Sequence, residues 1–186
     1  MRILFVILAV LLIVPRWAGE ERVPLYDRSI AVAVTRVTLD PRDPRRTRVG
    51  ALTFLGGIEL SSAAAGFGGF SSIAVHGRRF TLLSDSGNFL RFRLGDDWTP
   101  QQIVSGNLPA GPGTGWEKRD RDSESLVIDP VTNHAWVGFE SANAIWRYSA
   151  DFGRADGWCG RAGCGAGRAT AAPRRWRGCP TAGSWC

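Results

Sequence analysis

Lysine is nearly missing: of the 23 basic residues in this 186-residue chain, all but Lys118 are arginines. There are two histidines, His76 and His134, and no Gly-x-Ser-x-Gly, which leaves little from which to build a Ser-His-Asp hydrolase. Cysteine is absent from the first 158 residues, and Cys159, Cys164, Cys179 and Cys186 crowd the last 28. Their Cys-x4-Cys spacing, followed by a long gap without histidine, matches no standard zinc ligand set, although an even number in an exported chain also permits disulfide pairs. The glycine-rich loop Gly111-Pro112-Gly113-Thr114-Gly115 lacks both the Lys-Ser/Thr of a phosphate loop and a following helix, so nucleotide binding is not expected. The net charge of +6 is carried by arginines spread along the chain, and no nucleic-acid motif accompanies them. They read as solvated surface, and nucleic acid is excluded as a partner.

The content that is present begins with Met1-Arg2 and the apolar run Ile3 to Val14, proportioned like a signal-peptide core and short for a membrane span. Residues 1–18 are therefore expected to be a signal peptide or, because Arg16-Trp17-Ala18 is a poor cleavage site, an uncleaved N-terminal anchor. Export to the periplasm or medium follows, with membrane contact only through this segment.

Residues 20–155 read as one β-rich domain. An alternating stretch, Ala31 to Leu39, gives an early strand, and Asp40-Pro41-Arg42-Asp43-Pro44 gives a loop. From Val49 short apolar runs are punctuated by glycine: Gly50 to Leu60, Phe70 to Val75, Arg79 to Leu83 and Phe89 to Leu94. No window here sustains a helical stripe for three turns, so the segment is all-β. It also echoes itself at a spacing of 55 residues, where Asp85-Ser86-Gly87-Asn88-Phe89-Leu90 corresponds to Glu140-Ser141-Ala142-Asn143-Ala144-Ile145. Upstream, Ser71 to Val75 echoes Glu124 to Ile128, and Arg91-Phe92 echoes Arg147-Tyr148 after a one-residue slip. Repeats of this length are produced by propeller blades, each a small antiparallel sheet that buries its faces against its neighbours. Two units do not close a ring, so the expected fold is a partial β-propeller-like domain.

Residues 156–186 are expected to be an unstructured tail. From Gly157 onward there is no Val, Ile or Leu, hence no periodic apolar face. Combining the third base of each codon with the first two of the next, from Arg175 to Cys186, permits Ala-Arg-Leu-Pro-Asp-Gly-Arg-Phe-Leu-Val. That string is a turn followed by a strand. A frameshift between Asp156 and Cys164 accounts for it and makes this chain an inactive fragment of a longer, monomeric protein.

The most polar cluster, Glu117 to Glu124, follows the glycine loop. Asp122 and Glu124 alternate onto one face of an extended segment, where two carboxylates suit a hard cation such as calcium. Asp85 and Glu140 occupy equivalent repeat positions at strand ends and complete the candidate metal set; of the two, Asp85 is read as capping its own turn and Glu140 as reaching further. Arg121, Asn88 and Asn143 are the candidates for substrate contact. No catalytic residue is assigned.

Several of these motifs carry a resemblance: Gly68-Gly69-Phe70-Ser71-Ser72-Ile73, Arg79 to Asp85, Arg121-Asp122-Ser123-Glu124-Ser125-Leu126 and Trp136-Val137-Gly138-Phe139-Glu140. Over residues 20–155 the chain resembles exported bacterial members of the phytase-like family associated with esterase-like activity. The resemblance implies a β-propeller-like domain, a small-molecule phosphoester ligand and calcium-assisted hydrolysis in the full-length form. A non-catalytic periplasmic binding propeller is the alternative it leaves open.

Overall fold

The computed structural model describes residues 24–27 and 29–160. The expected signal or anchor at 1–18 and the tail beyond Gly160 lie outside the described residues. Twelve strands run in chain order: β1 (Ala33–Arg36), β2 (Arg48–Val49), β3 (Leu52–Thr53), β4 (Ile58–Ser61), β5 (Phe70–His76), β6 (Arg79–Ser84), β7 (Asn88–Leu94), β8 (Pro100–Asn107), β9 (Ser123–Ile128), β10 (Ala135–Phe139), β11 (Ala144–Tyr148) and β12 (Ala155–Gly160). A single 3-10 turn spans Lys118–Asp120, and no α-helix occurs among the described residues. The all-β expectation is met.

The strands form four antiparallel sheets. Two are short pairs, β1 with β4 and β2 with β3; the other two are four-stranded meanders, β5-β6-β7-β8 and β9-β10-β11-β12. The meanders are the two echoing units of the sequence, and their registers match in detail. On β5, Phe70 faces Ser84 while Ser72 faces Leu83, so Ser71 is an extra, bulged residue. On β9, Ser123 faces Phe139 while Ser125 faces Gly138, and Glu124 is bulged at the corresponding place. The hairpins then diverge. Leu83 faces Phe89 in the first, and Gly138 faces Ile145 in the second, which has one more residue in its turn. The slip therefore sits in the turn, and the structural counterpart of Asn88 is Ala144, not Asn143.

Strand β8 escapes a pattern search because Pro100-Gln101-Gln102 opens it with polar residues. Its pairing with β7 shifts between Arg91 and Arg93, where Gln102 takes φ +54°. A bulge of this kind inserts a residue and breaks the alternation that marks a strand. Strand β12 extends five residues past the boundary placed at 155 by composition. Trp158 stacks on Trp146 at 6.0 Å between ring centroids, and Gly157 faces Arg147, so the chain remains part of the sheet through Gly160.

One core lies between the two meanders. Leu83 and Phe89 of the first sheet meet Ala135, Val137, Phe139, Trp146 and Tyr148 of the second, with Leu108 and Phe152 sealing the ends. Each fully buried large apolar side chain contributes about 1.5–3 kcal/mol. Serines tie the sheets directly: the buried Ser123 Oγ donates to the Ser84 carbonyl at 2.6 Å, and the Ser71 Oγ donates to the Ser123 carbonyl at 2.5 Å. The opposite face of the first sheet, bearing Leu90 and Phe92, is crossed by residues 24–27 and by Ile30, whose N–H donates to Ser105 Oγ at 3.2 Å. Asn88 Nδ2 donates to the Pro24 carbonyl, Asn107 pairs with both backbone groups of Tyr26, and Ser105 Oγ donates to the Asp27 carbonyl.

Candidate functional site

The polar residues singled out in the sequence gather at one end of the two meanders, where the β6–β7 turn, the β10–β11 turn and the connection from β8 to β9 meet. The two turns are fixed in the same way. Asp85 N donates to the Gly69 carbonyl at 2.9 Å, and Glu140 N donates to the Asp122 carbonyl at 2.9 Å, each linking a turn to the residue just before its own sheet's first strand. Asp85 and Glu140 are thus structural equivalents, as the echo implies.

The Asp85 side chain does different work from that expected. Asp85 does not cap its turn; Ser84 Oγ does, accepting the Ser86 and Asn88 N–H groups. The Asp85 carboxylate instead reaches Lys118 Nζ at 2.8 Å. Asp85 and then Asp122 and Glu124 together hold the Lys118 ammonium above its ordinary value. The only lysine of the chain therefore stands where the sequence suggested a bound cation. Asp122 accepts a hydrogen bond from Ser141 Oγ at 2.6 Å, tying the β9 entry to the β10–β11 turn.

The glycine loop before this cluster is built around Asp120 and Arg121. Asp120 Oδ2 accepts from Thr114 N, Thr114 Oγ1 and Gly115 N at 2.9–3.0 Å. Beside it Arg121 Nη1 donates to the Pro112 carbonyl at 3.2 Å, and burial lowers the guanidinium below its ordinary value. The glycines are required by these neighbours. A Cβ at Gly113 would lie 2.0 Å from Asp120 Oδ1, and one at Gly115 2.2 Å from Arg121 Nη2. The loop's amides hold a carboxylate of the chain itself, which is a physical reason for it not to serve as a phosphate loop.

Glu124, Glu140 and Asn143 border an open cleft of about 620 Å³, floored by Gly138 and Ile145 and edged by Cys159. The β9 bulge leaves Glu124 and Ser125 exposed in succession and turns Glu124 toward this cleft, where regular alternation would send neighbouring residues to opposite faces. Asn143 holds φ +47°, a conformation that asparagine tolerates better than most residues. Asn88 lies elsewhere: it is fully buried and its amide donates to the Pro24 carbonyl, a structural role. Arg121 is half-buried inside the glycine loop. Ser141 and Ser125, which sequence reasoning passed over, belong to the site; Ser141 is visible only as part of the acid-Ser-small-Asn echo.

Asp85 is taken by Lys118 and Asp122 by Ser141, and among the described residues no set of three or more His, Cys, Asp or Glu is placed to hold a metal ion. The described residues do not by themselves assemble a calcium site. Neither histidine enters the cluster: His76 ends β5, and His134 lies 3.2 Å from Asp156 at the opposite end of the second sheet.

Two bulged antiparallel meanders sharing one core, with an acid-rich rim at one end, define an all-β protein with its polar site on inter-strand turns. The family model described as Phytase-like, esterase-like activity of phytase, matches residues 65–159, more than half of the chain, and the chain belongs to that family. The match begins just before β5 and ends within β12, so it covers both meanders and leaves out β1 to β4. No curated protein and no solved structure matches the chain.

Proposed function

We propose that the rim and cleft at this end of the meanders form the site of a phytase-like, esterase-type hydrolase acting on a small ester or phosphoester. The observation that carries this reading is the convergence of Glu124 and Glu140 on one cleft, brought there by the β9 bulge and by the β10–β11 turn. Two carboxylates beside one open cleft suit proton transfer to and from an attacking water and a leaving oxygen. Lys118, held by Asp85, supplies a positive charge at the edge of the same rim for an anionic substrate.

The two meanders are read as blades of a β-propeller-like domain. Export by the N-terminal segment, calcium as an added cofactor and turnover in a frame-restored form belong to the same proposal. They are supported by the apolar run Ile3 to Val14, the family membership and the codon pattern of the tail.

The test is hydrolysis of a generic carboxylic ester and a generic phosphomonoester by the 186-residue chain and by a form restored to frame beyond Gly160, each with added calcium and with chelator. Release of product that chelator abolishes supports the calcium-assisted phosphoesterase. Turnover indifferent to chelator supports metal-free ester hydrolysis. Saturable binding of the phosphoester without turnover in either form would replace the enzyme with a binding propeller.

A further inference from the structure

The hairpin of β2 and β3 stands apart from the site, and no other assignment in the molecule uses it. Val49 faces Leu52, Arg48 faces Thr53, and Phe54 N closes the base by donating to the Thr47 carbonyl at 2.8 Å. Gly50 turns the tip at φ +57°. The base is anchored, since the Phe54 ring and Val37 both crowd the α-carbon of Gly57. Beyond that anchor every residue from 41 to 53 is exposed. Two of these are large and aliphatic, Val49 at 48% and Leu52 at 75% exposure, and Leu55, just past the base, is 84% exposed. Single exposed aliphatic residues need no explanation, but three within seven residues at a hairpin and its base concentrate apolar surface there.

The charge beside the patch is net positive. Residues 40–55 carry Arg42, Arg45, Arg46 and Arg48 against Asp40 and Asp43, and the Asp40 carboxylate is engaged by Arg46 at 3.2 Å. Exposed aliphatic side chains interspersed with arginines match a surface with anionic headgroups over an apolar interior. The apolar tips enter the acyl boundary while the guanidinium groups stay at headgroup level.

We propose that the β2–β3 hairpin is a docking surface for an anionic phospholipid membrane, independent of the N-terminal apolar run. Nucleic acid fits the same charge less well: single strands are held by exposed aromatic platforms, and the hairpin's one aromatic ring, Phe54, is turned to the base.

The experiment is partition of the full 186-residue chain onto vesicles of phosphatidylcholine alone and onto vesicles that also contain phosphatidylglycerol. The neutral vesicles measure whatever Ile3 to Val14 contributes, and the surplus on anionic vesicles belongs to the hairpin. That surplus is expected to fall about fivefold for each of Arg45→Gln and Arg48→Gln, the equivalent of about 1 kcal/mol per arginine at a charged bilayer. It is expected to vanish at high salt and to fall at least about tenfold in a Leu52→Asp, Leu55→Asp double variant with an unchanged melting temperature. Equal partition onto both vesicle types would overturn the proposal. So would an anionic surplus that neither pair of variants alters, or binding to single-stranded DNA of equal strength that ignores the leucine substitutions.

Discussion

At the scale of residues, the site is organised by internal pairing: Lys118 with Asp85, Asp122 with Ser141, Asp120 with the amides of the glycine loop. The composition exposes some of this. A chain with one lysine invites attention to where that lysine goes, and a run of glycines signals close approach. Neither discloses the partner, because Asp85 lies 33 positions before Lys118 and only folding joins them. The glycine requirement is testable. Gly115, at φ +79°, faces Arg121, whereas Gly77, at φ +57°, faces open space. Gly77→Ala is expected to cost about 1 kcal/mol of backbone strain, and Gly115→Ala about 2–4 kcal/mol because Arg121 must also shift, both measured by urea unfolding. A second residue-scale prediction concerns acid. Asp129 accepts N–H bonds from Val131 at 2.8 Å and Thr132 at 3.2 Å, and these hold its carboxyl below the ordinary carboxylate range. A depressed folded value means that its contribution is complete above the unfolded value, about 3.9, and is lost as pH falls through the lower folded value. Asp129→Asn is expected to lower the melting temperature at neutral pH and to flatten the drop in melting temperature below about pH 4.

At the scale of elements, the bulges on β5 and β9 decide what each sheet presents at the rim. The first places Ser71, whose hydroxyl joins the sheets; the second places Glu124, which faces the cleft. Both positions lie in the echo of Ser71 to Val75 with Glu124 to Ile128, so the pairing of the elements was legible as a spacing. The bulge itself was not, since a two-to-one register leaves no trace in one strand's composition; alternation placed Asp122 and Glu124 on one face, and the bulge separated their roles. Strands β8 and β12 were missed for related reasons, one because a bulge and two glutamines mask its pattern, the other because glycine, tryptophan and cysteine replace the usual aliphatics. The serine tie between sheets gives an element-scale prediction. Ser123→Ala removes the donor to the Ser84 carbonyl in a fully buried setting, and is expected to cost about 1–3 kcal/mol in equilibrium unfolding. Ser62→Ala, at an exposed hydrogen bond to the Ala31 carbonyl, is expected to cost less than about 1 kcal/mol.

At the scale of the whole molecule, the two meanders share one core, while β1 to β4 sit outside both that core and the family match. The sequence conveyed this architecture well, because repetition is a global signal that survives local irregularity. It conveyed the site less well: Asp85 and Glu140 emerged as equivalents, yet one is neutralised by a lysine and the other borders the cleft. What separates the meanders in the proposed function is Glu140 with Glu124. The most direct measurement is the initial rate of ester and phosphoester hydrolysis for Glu124→Gln and Glu140→Gln, in whichever of the 186-residue and frame-restored chains turns substrate over, with Asp85→Asn as the comparison. The account predicts a loss of about a hundredfold or more for each glutamate at unchanged melting temperature, and a much smaller loss for Asp85→Asn. Rates that both glutamate substitutions leave intact, or no hydrolysis by either chain, would contradict it.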